Sequence, residues 1–208
     1  MQQQIKAVAF DAFGTLVEIH DKRRPFARIA RQATRRPDIS PMCHPVTLEQ
    51  MAELCGADID AGTMAAWQAD LQAELAATRP WPEAIDVLAE LKRQGLRTAV
   101  ASNLALPYAA PIHEQLGAYL DVSCLSFEVG FVKPDAGFYA ALCERLQLAP
   151  QQILMIGDTW RCDYAGAREA GLQAIHLDRR GNATPEQAPV ATPDLRGVLK
   201  YLDGERPG

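Results

Sequence analysis

The sequence lacks the features that mark membrane proteins and proteins of oxidising compartments. None of its apolar runs approaches the ~20 residues that a membrane-spanning helix needs. Its first residues, MQQQIK, do not form a secretory signal pattern. The five cysteines are odd in number and scattered, with no CxxC pair and no Cys/His metal-ligand spacing. We therefore expect a cytoplasmic protein with reduced cysteines and no membrane partner.

The sequence also lacks an excess of positive charge. Its 208 residues carry a formal net charge of −5, so they offer no broad surface for neutralising phosphates, and we expect no nucleic-acid partner. A basic run from Lys22 to Arg36 is the local exception. Its simplest interpretation is a solvated helix face; alternatively, Arg23, Arg24 or Arg28 points into a cleft and binds a substrate carboxylate or phosphate.

Internal repeats and low-complexity tracts are absent from the sequence, and no GxGxxG motif follows its first apolar segment. The missing glycine motif disfavours a dinucleotide-binding enzyme. The composition is that of an ordinary soluble protein, with 48% hydrophobic and 23% charged residues. A chain of this length can bury a core without disulfides. Nothing in the pattern indicates an oligomeric state.

The first part of the chain changes from one strand to a helical block. The apolar segment 5–10 predicts a strand, whereas 17–80 shows helical spacing and no convincing strand. Thr47 and Gln50 have the spacing of a capping box, and Thr63 can cap the helix that follows. The helices predicted in this block cover 25–36, 47–56 and 63–79.

From Trp81 onward, helical and strand patterns alternate. Such alternation predicts an α/β fold: a parallel sheet with right-handed crossovers and helices on both faces. We expect the core to comprise 1–16 and 81–208, with 17–80 inserted after the first strand. The predicted strands are 96–102, 122–126, 152–157 and 172–177; the predicted helices are 81–95, 107–116, 135–146, 160–171 and a short one at 194–202; the segment 178–192 is predicted to be a loop.

Polar side chains follow the predicted strands where each strand ends. Asp11 follows the first strand and Ser102-Asn103 the second, while Lys133 comes after the third and Asp158 and Asp163 after the fourth. A single Asp after a strand is often only a helix cap, and a single Lys is usually solvated. The carboxyl ends of parallel strands meet at one edge of the sheet, so the ordered set predicts an active site there.

These residues form four motifs that together resemble those of the haloacid dehalogenase superfamily of hydrolases. The motifs are Asp11-Ala-Phe-Gly-Thr15, Ser102-Asn103, Lys133-Pro134 and Gly157-Asp158-Thr-Trp-Arg-Cys-Asp163, and their order agrees over residues 5–177. The resemblance implies a Rossmann-like three-layer core with a parallel sheet. It also implies that 17–80 is a small all-helical cap over the site. Cap movement, with hinges near 16–18 and 79–82, would admit a small-molecule substrate.

The resemblance also implies roles for individual residues. Asp11 is expected to be the nucleophile that forms a covalent intermediate, and Lys133 to balance charge as a point cation. A Mg²⁺ cofactor would be held by the Asp11 and Asp158 side chains and by the backbone carbonyl of Phe13.

Four further residues surround that set. Ser102 is expected to donate its hydroxyl to a phosphate oxygen, and Asn103 and Thr15 to contribute to substrate binding, Thr15 also by positioning the Asp11 loop. Asp163 is expected to hold Lys133 or a metal-bound water rather than the metal itself.

Phe13 departs from the phosphatase pattern, which usually has Asp at this position. That Asp protonates the leaving oxygen, and general acid–base help of this kind is worth ~10²–10⁴-fold in rate.

Three hypotheses follow: a Mg²⁺-dependent phosphatase of a small phosphorylated metabolite, a 2-haloacid dehalogenase-like enzyme, or a protein that binds a phosphorylated ligand without turnover. Dehalogenases of the superfamily carry an aromatic residue here, need no metal and usually replace the metal-binding acid with Ser. Asp158 favours the phosphatase, because a second carboxylate beside Asp11 costs stability unless a cation lies between them.

Overall fold

The computed structural model describes residues 4–36 and 39–204; the ends of the predicted core, 1–3 and 205–208, lie outside this part. Six strands of the described chain form one parallel sheet, which confirms the predicted α/β fold. They are β1 (Ala7–Phe10), β4 (Arg97–Ser102), β5 (Val122–Leu125), β6 (Ile153–Gly157), β7 (Gln173–Leu177) and β8 (Ala191–Thr192). Their order across the sheet is β5-β4-β1-β6-β7-β8.

The central strands are short apolar runs because helices cover both of their faces. Side chains alternate across β1, so Val8 and Phe10 enter one hydrophobic cluster and Ala7 and Ala9 enter the other. The helices of this core are α4 (Ala84–Arg93), α5 (Ala109–Leu116), α6 (Ser126–Val129), α7 (Ala136–Leu146), α8 (Gly166–Glu169) and α9 (Gly197–Leu202). A π-helical turn, Trp160–Ala165, precedes α8 where a continuous helix was predicted. Within the described residues, no helix has the length and hydropathy that crossing a bilayer requires.

The segment between β1 and α4 contains three helices with a hydrophobic cluster of their own. They are α1 (Pro25–Arg31), α2 (Leu48–Cys55) and α3 (Ala61–Ala76), and their shared cluster includes Ile29, Met51 and Leu71. The predicted capping box is confirmed, since Thr47 and Gln50 exchange hydrogen bonds between side chain and backbone.

The predicted cap of α3 was wrong by three residues. Asp60 caps this helix, and the Thr63 backbone N–H and hydroxyl both donate to its carboxylate at 2.9 and 2.6 Å. Asp and Thr are both good capping residues, so the local pattern alone did not separate them.

The prediction that 17–80 contains no strand was also wrong. β2 (Val17–Ile19) pairs antiparallel with β3 (Thr78–Pro80) and forms a two-stranded ribbon at the two ends of the helical segment. Leu16 O accepts a hydrogen bond from Trp81 N at 3.0 Å just below the ribbon. Each strand is only three residues long and pairs with a distant segment, so neither leaves a periodic signal in the sequence.

Candidate active site

The site lies at the carboxyl edge of the sheet, where three neighbouring strands end. Asp11 directly follows β1, Ser102 is the last residue of β4, and Asp158 directly follows β6. Because β1 lies between β4 and β6, with Phe10 in register with residues of both, the three side chains emerge beside one another. The parallel topology therefore assembles residues that are far apart in the chain.

Asp11 is held through one of its two carboxylate oxygens. Its Oδ1 accepts hydrogen bonds from Ser102 Oγ and from Lys133 Nζ, each at 2.9 Å. No hydrogen bond from the described residues reaches Oδ2. The carboxylate is thus oriented by two donors while its second oxygen stays available for attack or for a cation.

Lys133 is a buried cation with three acceptors. Its Nζ donates to Asp11 Oδ1, to Asp163 Oδ1 at 2.6 Å and to Ala101 O at 2.7 Å, which uses all of its donors. Burial lowers the pKa of the ammonium, but the charges of Asp11 and Asp163 outweigh this effect and raise it above the ordinary value. Asn103 positions Lys133, because its amide accepts from Lys133 N and donates to Lys133 O.

Asp163 is placed by the π-helical turn. Its Oδ2 accepts a hydrogen bond from Thr159 N at 2.9 Å, while Oδ1 binds Lys133. The preceding strand ends in Gly157, where a Cβ atom would lie 2.3 Å from the Asp163 carboxyl carbon. Burial, together with the charge of Asp11, raises the pKa of Asp163 to about 6 despite the opposing effect of Lys133. π-Helical turns are rare and frequently occur at functional sites.

Asp11, Asp158 and Asp163 form an acidic cluster that could hold a metal ion. Oxygen atoms of the three carboxylates lie within 4.8 Å of one another. Asp158 is open to solvent, yet enough protein surrounds it that desolvation, and then the charge of Asp11, raises its pKa. Gly14 makes room for it, since a Cβ at Gly14 would lie 2.3 Å from Asp158 Oδ2. Hard divalent cations prefer oxygen ligands, so three neighbouring carboxylates are a suitable set to bind one.

Comparison with known proteins agrees with this geometry. The model of the haloacid dehalogenase-like hydrolase family matches residues 5–171. The chain belongs to this family. Its Rossmann-like core has the fold of the haloacid dehalogenase-like hydrolases.

Relatives of both chemical kinds are similar to the chain. Phosphoserine phosphatase of Thermus thermophilus is 39% identical over 119 residues, which are 56% of this chain and 46% of that protein. (S)-2-Haloacid dehalogenase 4A of Burkholderia cepacia is 27% identical over 206 aligned positions, covering 88% of this chain and 87% of the relative. A haloacid dehalogenase-like phosphatase structure from Thermococcus onnurineus superposes with a TM-score of 0.71 at 21% identity, covering 97% of this chain and all of that one. The alignments with the phosphatases of known activity span less than half of each relative's length.

Phe13, two residues after Asp11, belongs to a cluster of three aromatic rings. Its ring is half-buried and meets the Tyr108 ring edge-on, with the centroids 5.8 Å apart. The Tyr108 ring also lies 6.3 Å from that of Phe26, at the start of α1. The position where a phosphatase of the family usually has an acid is therefore part of an apolar cluster shared by the core and the helical segment.

Two of the three residues predicted to bind substrate have side-chain hydrogen bonds within the protein. Ser102 binds Asp11, and Asn103 holds the Lys133 backbone. Thr15 is fully buried, and its hydroxyl has no partner among the described residues. Substrate contacts of Thr15, Ser102 and Asn103 stay predictions, as do metal binding by the Phe13 carbonyl and the hinge positions.

Two of the three arginines considered for the cleft are engaged elsewhere. Arg23 and Arg28 both form ion pairs with Asp70 of α3. Arg24 has a left-handed backbone with φ 57°, its side chain is exposed, and its N–H donates to the buried carboxylate of Glu74. Arg24 is thus the remaining candidate of the basic run.

One residue at this edge of the sheet has no counterpart in the motifs. Arg179 lies two residues beyond β7, in a segment predicted only as loop, and its side chain reaches the carbonyls of Gly14 and Thr15. The sequence contained a signal for Arg179, because it follows a predicted parallel strand. Residues just beyond such a strand lie at the sheet edge where the motif residues gather.

Proposed function

We propose that this protein is a Mg²⁺-dependent phosphatase of a small phosphorylated metabolite that acts through an aspartyl-enzyme intermediate. The observation that carries the proposal is the position of Asp158. Its carboxylate shares a cluster with Asp11 and Asp163. Among the described residues, Lys133 is the one cation that forms ion pairs with this cluster, and it pairs with Asp11 and Asp163. A divalent cation would balance the remaining two negative charges, whereas halide displacement has no need of Asp158.

Phosphoryl transfer to Asp11 brings two anions together. Mg²⁺, held by the Asp11 and Asp158 carboxylates and the Phe13 carbonyl, would neutralise part of that charge. Asp11 Oδ2 attacks phosphorus and the bond to the leaving oxygen breaks, which leaves the phosphoryl group on Asp11. Ser102 and Lys133 keep Oδ1 in place during this step, because each donates to it at 2.9 Å. Water then cleaves the acyl phosphate and regenerates the Asp11 carboxylate.

The leaving oxygen takes its proton from water in this scheme, because Phe13 cannot supply one. We therefore propose a slow phosphatase, or one whose substrate has a good leaving group. The similarity to phosphoserine phosphatase and to a glyceraldehyde 3-phosphate phosphatase of Methanothermobacter thermautotrophicus, 31% identical over 104 residues, supports a small metabolite as substrate.

Dehalogenation of a 2-haloacid is the second candidate, and Phe13 favours it. A halide leaves without protonation. The aromatic cluster of Phe13, Tyr108 and Phe26, which supplies no acid, therefore does not slow that reaction. The alignment with (S)-2-haloacid dehalogenase 4A over 88% of the chain supports the same candidate.

One experiment separates the candidates. The purified protein is assayed with phosphate esters and with 2-haloacids, each in Mg²⁺ and in EDTA. We expect phosphate release that requires Mg²⁺ and falls at least ~10³-fold in Asp11→Asn and in Asp158→Asn. Halide release that persists in EDTA and in Asp158→Asn would establish the dehalogenase instead. Binding of phosphorylated ligands without release of either product would mean that this protein binds but does not turn over.

A further inference from the structure

We propose that Arg179 is a positioning residue that ties the turn after the nucleophile to both segments linking the core with the helical region Val17–Pro80. The kinetic part of this inference rests on the proposed function; the structural part does not. Every guanidinium nitrogen of Arg179 has a hydrogen-bond acceptor, and the flat face of the guanidinium stacks on an aromatic ring.

The nitrogens of Arg179 reach both sides of the connection. Nε donates to Gly14 O at 3.2 Å and Nη2 to Thr15 O at 2.8 Å, both in the turn that follows Asp11. Nη1 donates to Glu83 Oε1 at 2.7 Å, just before α4. A planar guanidinium with fixed donor directions can satisfy three such acceptors at once.

The face of the guanidinium stacks on Trp81. Arg179 Cζ lies 4.0 Å from the centroid of the Trp81 ring system, a cation–π distance. Trp81 follows β3 directly. Its backbone N–H donates to Leu16 O, at the start of the other linking segment. Arg179 is 13% exposed and Glu83 6% exposed, so water screens this ion pair only weakly.

Arg179 projects from a loop that is itself fixed. Asp178 N donates to Thr192 O at 2.8 Å, and the Asp178 carboxylate accepts from the backbone of Asn182 and Ala183. The guanidinium therefore projects from a loop that hydrogen bonds hold against the core.

The contacts connect the linkers to the acidic cluster. Gly14 faces Asp158 so closely that a Cβ would lie 2.3 Å from its Oδ2, and Arg179 holds the carbonyl of this same Gly14. Loss of the guanidinium frees the turn that carries the Phe13 and Gly14 carbonyls. It also loosens the end of the β2–β3 ribbon where Val17 pairs with Pro80. We expect both the geometry of the site and the motion of the helical region to change.

Amide hydrogen exchange and steady-state kinetics of three variants test the proposal. Arg179→Lys keeps the charge but not the three-way contact, Arg179→Met removes both, and Arg180→Met is the matched control because Arg180 is exposed. We expect exchange at residues 14–19 and 78–82 to rise by roughly tenfold in Arg179→Met and to a lesser degree in Arg179→Lys. Exchange in β6 should be unchanged, and so should the Arg180→Met protein. For phosphate release, kcat should fall more than KM changes.

Three results would overturn the inference: unchanged exchange in both linkers, an equal rise throughout the core, or the same effect in Arg180→Met. If the Arg179 variants do not fold, Glu83→Gln provides the test, because it removes the negative charge of one anchor and leaves Arg179 in place. It should raise exchange at the same two segments, and unchanged exchange there would also sink the idea. Amide exchange tests the structural claim even if the wild-type protein releases no phosphate. Failure of the proposed function can therefore be distinguished from failure of this inference.

Discussion

The two oxygens of the Asp11 carboxylate have different surroundings. Oδ1 is fixed by Ser102 and Lys133, while Oδ2 accepts no hydrogen bond from the described residues. This asymmetry gives the nucleophile a defined direction. The residue that limits the chemistry is instead Phe13, two positions further along.

Replacement of Phe13 tests that limit. We expect Phe13→Asp to raise phosphate release by up to ~10²-fold, because it places a general acid beside the leaving oxygen. The gain should be larger for an alkyl phosphate, whose leaving group needs a proton, than for an aryl phosphate. The measurement is kcat/KM for the two esters at saturating Mg²⁺. Phe13→Asn is the matched control, and an equal gain in that variant would attribute the effect to lost bulk.

At the scale of elements, the turn between β1 and β2 determines the shape of the site. Gly14 adopts φ +90° and approaches the Asp158 carboxylate without a Cβ. The left-handed backbone favours glycine, and the close approach requires it.

We expect Gly14→Ala to destabilise the protein and to weaken metal binding. The left-handed conformation alone costs about 1–2 kcal/mol for a residue with a Cβ, and displacement of Asp158 adds to this cost. Gly95→Ala is the control, because Gly95 has φ +77° and open space around its Cα. Chemical denaturation and Mg²⁺ titration calorimetry measure the two effects. Equal destabilisation of both variants with normal Mg²⁺ affinity would show that Gly14 does not position Asp158.

The start of α4 gives a prediction about pH. Burial raises the pKa of the Glu83 carboxyl, but the Arg179 hydrogen bond and the backbone hydrogen bonds outweigh this effect, so the pKa lies below 4.5. The unfolded chain therefore binds a proton at a higher pH than the folded one, and the Glu83 contribution to stability is present above pH 4.5 and lost as the pH falls. We expect the free energy of unfolding between pH 5 and pH 3 to fall less steeply in Glu83→Gln than in the wild type, as measured by urea denaturation. Identical slopes would contradict the Arg179–Glu83 coupling.

At the scale of the whole molecule, one buried carboxyl joins the helical region to the core. Glu74 of α3 accepts the Arg24 N–H at 2.9 Å, and its carboxylate is near the Tyr108 phenol of the core. Burial raises the pKa of the Tyr108 phenol, and the charge of Glu74 raises it further. Tyr108 also contacts Phe13, so this link reaches the site itself.

Tyr108→Phe keeps the ring and removes the hydroxyl. We expect it to weaken the link to Glu74, because the phenol hydroxyl near that carboxylate is lost. The helical region should then open more readily, seen as faster amide exchange in α3 than in β6. Tyr119→Phe, on the core, serves as the control. Equal exchange in wild type and Tyr108→Phe would show that the two regions are held together by other contacts.

The sequence determined the features that depend on local pattern. Alternation of helix and strand from Trp81 onward predicted the α/β fold, and the polar residues after β1, β4 and β6 predicted one site at the sheet edge. The fold is confirmed, because a strand is recognisable from its own residues. The polar side chains lie together because parallel pairing brings all carboxyl ends to the same edge, while their role in catalysis stays a prediction.

Only the tertiary structure decided which distant side chains meet. The β2–β3 ribbon, the Lys133–Asp163 contact at 2.6 Å and the four contacts of Arg179 each join segments far apart in the chain. Asp163 had been expected to hold either Lys133 or a metal-bound water, and the fold supplies the first. Such contacts depend on where packing places two elements, and a single side chain carries no sign of its partner in the sequence around it.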